Sequence, residues 1–416
     1  MDIKQRLKSL VNQFVIGMLP IFLFTVLSVT LNGNMVDYSS RFTAILIAGS
    51  AVYVLALLVS LCGVIRSFNG HAIMDFIKEN KVILIVLVVI ILTRLPFINL
   101  LQRWDAGEYY YRMGLTLDNF SYSTFEEFFS DYGLCGHSAS FFCLLYMIGE
   151  FIFPRQIIGV SVINLIITAV AMWCVYKIII KITNASKNMC AVYTLLVSGA
   201  PLVYTFTTHL NLDYTMAMIV IMIVCCYMYD KPLLVGILSI YCFQTKENGL
   251  VIVAGIALGQ IVRHILVDKK KCLKKIFTDA KLYMTLAAAL IQWGYFRRYG
   301  NNWVATGEQE AGGLFKWNNN GSECLGFNPS FMLMKFKQQF ILNFNWIVIA
   351  VIVAGTIYIV INRKYLKDIC KEKMFAICTL AGAWITHSAF SYLYITGTCS
   401  RYNICLLYTS PSPRDS

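Results

Sequence analysis

Charge is scarce in this chain. Only 14% of its 416 residues are Asp, Glu, Lys or Arg, against 58% hydrophobic ones, and the mean hydropathy is +0.65. Ordinary soluble domains carry about a quarter of their residues charged, so this composition excludes that class. Acids are the scarcer sign, 22 against 35 bases. The +13 balance is spread over short loops between apolar runs, a pattern that orients membrane spans rather than one that grips nucleic acid. Histidine is rare, five in all, and shows no metal-ligand spacing. Cysteine is not rare, but its fourteen copies form no CxxC motif and lie mostly inside apolar runs, as small fillers. Cys135 is the loop cysteine of interest, and Cys324 is its one evident loop partner. Neither a dinucleotide fingerprint nor a phosphate-cradling glycine loop is found, which argues against a nucleotide-binding domain.

What the chain has is apolar runs of spanning length. Candidate spans are 11–31, 42–65, 82–101, 157–175, 190–208, 214–229, 232–243, 250–265, 282–295, 340–361 and 375–395. The expected fold is therefore an all-α polytopic membrane bundle of about eleven transmembrane helices. The run at 138–154 is shorter before Glu150, and reads as a re-entrant or interfacial segment. Charge bias supports that reading. Lys4, Arg6 and Lys8 place the N-terminus inside, and three spans later Asp105 is outside. With 138–154 not crossing, the basic stretches at 177–187, 267–275 and 362–373 all fall inside, as the positive-inside rule requires. The same alternation puts 208–213, 244–249 and 400–403 on the face that carries Asp105. The first apolar run is too long for a cleavable signal peptide and lacks a cleavage site. The final residues, CLLYTSPSPRDS, are similar to a translated sequencing-library adapter. Residues 405–416 are thus expected not to be native, and the natural chain to run on at its C-terminus.

The chemistry concentrates in "LLQRWDAGEYYYR", residues 100–112. Asp105 follows Trp104 just beyond a span, where a carboxylate is partly desolvated and can serve as a general base. Glu108, three residues on, shares its helical face and could assist. Two carboxylates are too few to define a metal site, so a divalent cation is left open and no other cofactor is expected. Asp213 starts a later helix after Asn211, and an N-cap role competes with a catalytic one. Lys246 and Glu247 sit in a break before Asn248-Gly249, either as a plain turn or with Lys246 as a point cation for phosphate. Arg401 stands at a late outer helix end beside Tyr402. Arg94 lies inside a span, either snorkelling outward or facing the bundle near Asp105. His137 opens the 138–154 segment as a cavity candidate. His209 and His387 show no partner spacing, and His71 and His264 read as inner loop or helix-end residues.

These motifs, taken in order, resemble the GT-C superfamily of membrane glycosyltransferases, which includes protein O-mannosyltransferases and aminoarabinose transferases. "RWDAGEYY" resembles their first-loop catalytic motif. "GHSASFF" at 136–142 is similar to the stretch that follows it, without its prolines. "SGAPLVYTFTTHLNLD", "QTKENGLVIVAG" and "SRYN" are similar to later outer-face segments. The resemblance covers about residues 94 to 265 plus Arg401. Residues 1–81 would then be an additional two-helix unit, and 82–404 the catalytic module with its outer loop at 102–137. The implied reaction is single-step, inverting transfer of a sugar from a polyprenyl-phosphate donor to a lipid or glycan acceptor. Asp105 would be the base, with Glu108 and Asp213 beside it. Lys246 and Arg401 would meet the donor phosphate, and His137, Arg94 and Glu247 would line the acceptor cavity. The implied location is the outer face of a bacterial cytoplasmic membrane, although an endoplasmic reticulum membrane fits as well. Two alternatives stay open. One is an oligosaccharide-lipid polymerase or ligase using Arg297 and Arg298. The other is a lipid or sugar transporter.

Overall fold

A computed structural model describes residues 70–100, 102, 105–118, 140–153, 156–183, 185–246, 248–299, 324–325, 329–337, 353–354, 357, 361 and 371–395. The chain divides into two compact units, Met1–Lys81 and Val82–Ser416. In the first unit the described part is essentially α1, Gly70–Glu79. The expected spans at 11–31 and 42–65 lie outside the described residues, as does most of 340–361.

The second unit is built of helices. They are α2 (Lys81–Leu92), α3 (Asp105–Asp118), α4 (Ser140–Ile152), α5 (Ile158–Ile182), α6 (Lys187–Ser198), α7 (Pro201–Phe206), α8 (Leu212–Met228), α9 (Pro232–Phe243), α10 (Asn248–Asp268), α11 (Cys272–Thr278), α12 (Ala280–Tyr299), α13 (Pro329–Lys337) and α14 (Lys371–Leu393). One short antiparallel pair joins β1 (Cys324–Leu325) to β2 (Tyr394–Ile395). The all-α expectation holds among the described residues, that two-residue pair aside. Among the described residues, two helical stretches are long and apolar enough to cross a membrane unaided, Ile158–Ile182 and the run Asn248–Thr278. Leu212–Met228, Pro232–Phe243 and Ala376–Phe390 are apolar but shorter.

Local chemistry explains the breaks. The expected span at 190–208 is two helices, because Pro201 has no N–H to donate and holds Ala200 extended, at ψ 132°. The span expected over 82–101 ends as a helix at Leu92. Pro96 then converts the chain to a single 3₁₀ turn, Leu95–Phe97. Ser186 caps α6 by accepting the Met189 N–H, and Asn211 caps α8 by accepting the Tyr214 N–H at 2.9 Å. The segment expected to lie at the interface, 138–154, forms α4. Its Tyr146 and Glu150 are buried, and a 13-residue helix of about 20 Å is too short to span.

Packing proceeds through missing side chains. Gly149 of α4 meets Gly159 of α5 so closely that a Cβ on either would strike the other's carbonyl. Gly255 and Gly259, four apart on α10, face Gly382 and Cys378 of α14 in the same way. Small residues one turn apart let helix backbones touch, which strengthens van der Waals contact where the surroundings are as apolar as the helix. One apolar cluster joins α2, α3, α4, α5, α6 and α8 around Tyr146, Met172 and Tyr214. A second joins α8, α9, α10, α12 and α14 around Ile223, Phe243 and Ile256. Helix α8 belongs to both and is buried over nearly its whole length.

Candidate functional site

Gln102 connects the sequence motifs in space. Its side-chain amide donates to the Thr208 carbonyl at 3.0 Å, and its carbonyl accepts the Leu210 N–H at 2.8 Å. One side chain thus satisfies two backbone groups of the 207–211 turn, 106 and 108 residues further along the chain. Three residues after Gln102, Asp105 begins α3; three after Leu210, Asp213 sits in the first turn of α8. The side chains of Asp105 and Glu108 lie outside what the structure describes, so the link is one of their backbone. Farther along α3, the Tyr110 hydroxyl donates to Glu150 of α4 at 3.5 Å. Burial and the adjacent Glu150 carboxylate push the Tyr110 pKa up to about 12.

Asp213 and Lys246 form a buried ion pair. Lys246 Nζ lies 2.8 Å from Asp213 Oδ1, and the two side chains are only 5% and 6% exposed. Sequence reading gave them separate roles; the fold makes them one unit. The reason is desolvation, since either charge alone at this depth would carry a penalty of several kcal/mol. Lys246 occupies the turn between α9 and α10, and its carbonyl accepts the Gly249 N–H at 3.0 Å. Gly249 is required there, because a Cβ would lie 2.7 Å from Cys242 Sγ. Next to this turn, Gln244 donates to Gln292 of α12 at 2.6 Å.

Arg94 does not snorkel. It is buried, donates to the Ser198 carbonyl at 2.5 Å, and lies 4.5 Å from the centre of the Tyr204 ring. The Tyr204 hydroxyl returns a hydrogen bond to the Thr93 carbonyl at 2.8 Å. Arg94 therefore fastens the end of α2 to α6 and α7.

Beneath the 207–211 turn lies a polar layer that sequence reading missed. Asn164 of α5 donates to the His209 carbonyl at 2.7 Å and accepts from the Tyr146 hydroxyl, which also meets Thr215 Oγ1 at 2.8 Å. Thr168 and Thr207 both bond the Tyr214 hydroxyl. The signal was present as Asn164 and Thr168, four apart in a mostly apolar span that also holds Ser161. A polar pair on one helical face implies a buried partner. His209 packs edge-on against Phe206, and its Nδ1 is buried with no hydrogen-bond partner among the described residues. Burial lowers the His209 pKa, opposed by a backbone hydrogen bond at Thr208, and favours the neutral ring.

His137, Glu247 and Arg401 lie outside the described residues, and so do the side chains of Arg297 and Arg298. Among the described residues no group of three or more His, Cys, Asp or Glu is placed to share a metal ion. The structure brings together the segment before Asp105, the turn before Asp213, and Lys246. Comparison with known proteins finds no matching family model, no matching curated protein and no matching solved structure.

Proposed function

We propose that this protein is a multi-pass membrane glycosyltransferase. It moves a sugar from a polyprenyl-phosphate donor to an acceptor hydroxyl on the outer face of the membrane. The observation that carries the reading is the Gln102 bridge, which ties the Asp105 segment to the turn that presents Asp213, itself paired with Lys246. Motifs far apart in sequence thereby meet at one end of α8 and α10.

Asp105 takes the proton from the acceptor hydroxyl as that oxygen attacks the anomeric carbon. The bond from that carbon to the phosphate oxygen breaks, its electron pair leaves with the polyprenyl phosphate, and the configuration inverts. Lys246 supplies positive charge for the departing phosphate, aided by the N-terminal end of α10, which begins two residues later. Asp213 holds that ammonium in place until the phosphate arrives. Arg401 is the second cation of the proposal, and Glu108 the helper of Asp105.

The test is transfer from radiolabelled polyprenyl-phosphate sugars in membranes carrying the chain, beside an Asp105→Asn variant at equal expression. Transfer that falls at least about a hundredfold in the variant supports Asp105 as base. Equal transfer sinks that role. Absence of transfer from either, across several donor sugars, moves the reading to a polymerase or transporter.

A further inference from the structure

The far end of α10 carries a second feature that the transfer reaction does not use. After Asp268 the chain makes a 3₁₀ turn of three lysines, Lys269–Lys271, and then the short helix α11, which adds Lys274 and Lys275. All five lysines are exposed. Leu273 and Phe277, four apart on α11, are 67% and 68% exposed among them. On α10 itself, Val262, Ile265 and Leu266 are exposed apolar residues too.

The segment is held in a fixed shape. Lys269 adopts φ +44°, a left-handed conformation that is strained for a residue with a side chain, where α10 gives way to the 3₁₀ turn. His264 spans the segment's two ends. Its Nδ1 lies 2.7 Å from Asp268 Oδ2, and its Nε2 lies 3.0 Å from Asp279 Oδ2. Asp279 also accepts from Gln260 at 2.6 Å, and Lys281 Nζ lies 3.3 Å from its other oxygen and 2.5 Å from Asp230. The acids nearby are ion-paired with His264, Arg263 and Lys281; Lys275 adds its charge to the field at Asp268, and all five lysines stay exposed.

We infer that residues 268–279 form an interfacial anchor that binds anionic phospholipid headgroups. Leu273 and Phe277 would enter the acyl boundary, and the lysines would meet the headgroup phosphates. Exposed apolar side chains interleaved with one sign of charge, next to a span-length helix, match an anionic lipid surface better than an acidic protein or a free anion. The anchor lies at the opposite end of α10 from Lys246, about 30 Å away along a 21-residue helix. The inference rests on membrane embedding, and is independent of glycosyl transfer.

The test uses the full chain purified in a neutral detergent and loaded with equal amounts of radiolabelled phosphatidylglycerol and phosphatidylcholine. Lipid retained through gel filtration is counted. Phosphatidylglycerol should be favoured about tenfold, and the preference should vanish at high salt. It should vanish also in the K269Q/K270Q/K271Q/K274Q/K275Q variant. Equal retention of the two lipids overturns the proposal, as does a preference that survives high salt or the five substitutions. Should that variant not elute as a folded particle, the salt series on the unaltered chain decides. A carbonate wash of phosphatidylcholine vesicles carrying the chain separates the two levels. Release from those vesicles refutes membrane embedding itself, whereas a chain that stays but shows no lipid preference refutes the anchor alone.

Discussion

Single side chains decide how this site is held. Gln102 satisfies one buried carbonyl and one buried N–H of a turn that carries no regular ladder. Gln102→Leu strands both groups, so thermal unfolding in detergent should register a loss of about 2–4 kcal/mol. If the bridge positions Asp105, transfer should fall further than the lost stability explains. Lys246→Met leaves Asp213 buried and uncompensated, at a cost of about 3–5 kcal/mol, and adding Asp213→Asn should recover part of it. Chemical denaturation of the three variants measures this, and a double variant no more stable than the single one would refute the coupling. His209 gives a pH dependence. Burial holds its folded pKa below the ordinary 6.5, so the unfolded chain binds the proton more readily. Its contribution to stability is complete above pH 6.5 and is lost as pH falls toward the folded value. Unfolding temperatures should therefore drop on acidification below 6.5, and His209→Phe should flatten part of that slope. Asp279 acts in the same direction at lower pH. Burial raises its pKa, but hydrogen bonds from His264 and Gln260 and the nearby Lys281 hold it below the ordinary 3.8, so its contribution fades as pH falls beneath that value.

At the level of elements, the helices were legible wherever composition alone sets them. Pro232–Phe243 falls where the apolar run at 232–243 said it would, between Pro232 at its first turn and Gln244 at its cap. The same reading ran through Pro96 and Pro201, because a hydropathy window averages over one residue that lacks an N–H. It could not see which faces touch. Gly255 and Gly259 are unremarkable in a span until Gly382 is found opposite them. Gly259→Leu should force α10 from α14 and cost about 1–3 kcal/mol or more, measured as a shift in unfolding midpoint. Gly294 of α12 has open space around its Cβ position, so Gly294→Ala should leave stability unchanged or raise it by up to about 1 kcal/mol. If the two variants behave alike, close packing is not what the glycines serve.

For the molecule as a whole, outer and inner ends of spans were read from charge alone, and the sites from their order. That order anticipated that residues near 105, 213 and 246 share one end of the bundle. It did not anticipate that Asp213 and Lys246 neutralise one another, since a pair separated by 33 positions has no local signature. Nor did it show that His264 closes a loop. A histidine near a helix end looks the same in sequence whether or not carboxylates flank both ring nitrogens. The two ends of α10 now bear on each other. One end carries Lys246, the other the lysine turn, and a 21-residue helix of about 30 Å separates them. If the lysine turn rests on one leaflet, bilayer thickness becomes part of the geometry at Asp213. In thin lipid the rod must tilt, and Lys246 is carried sideways with it. Transfer rates compared in short- and long-chain lipids would then read hydrophobic mismatch as a distance between an ammonium and a carboxylate.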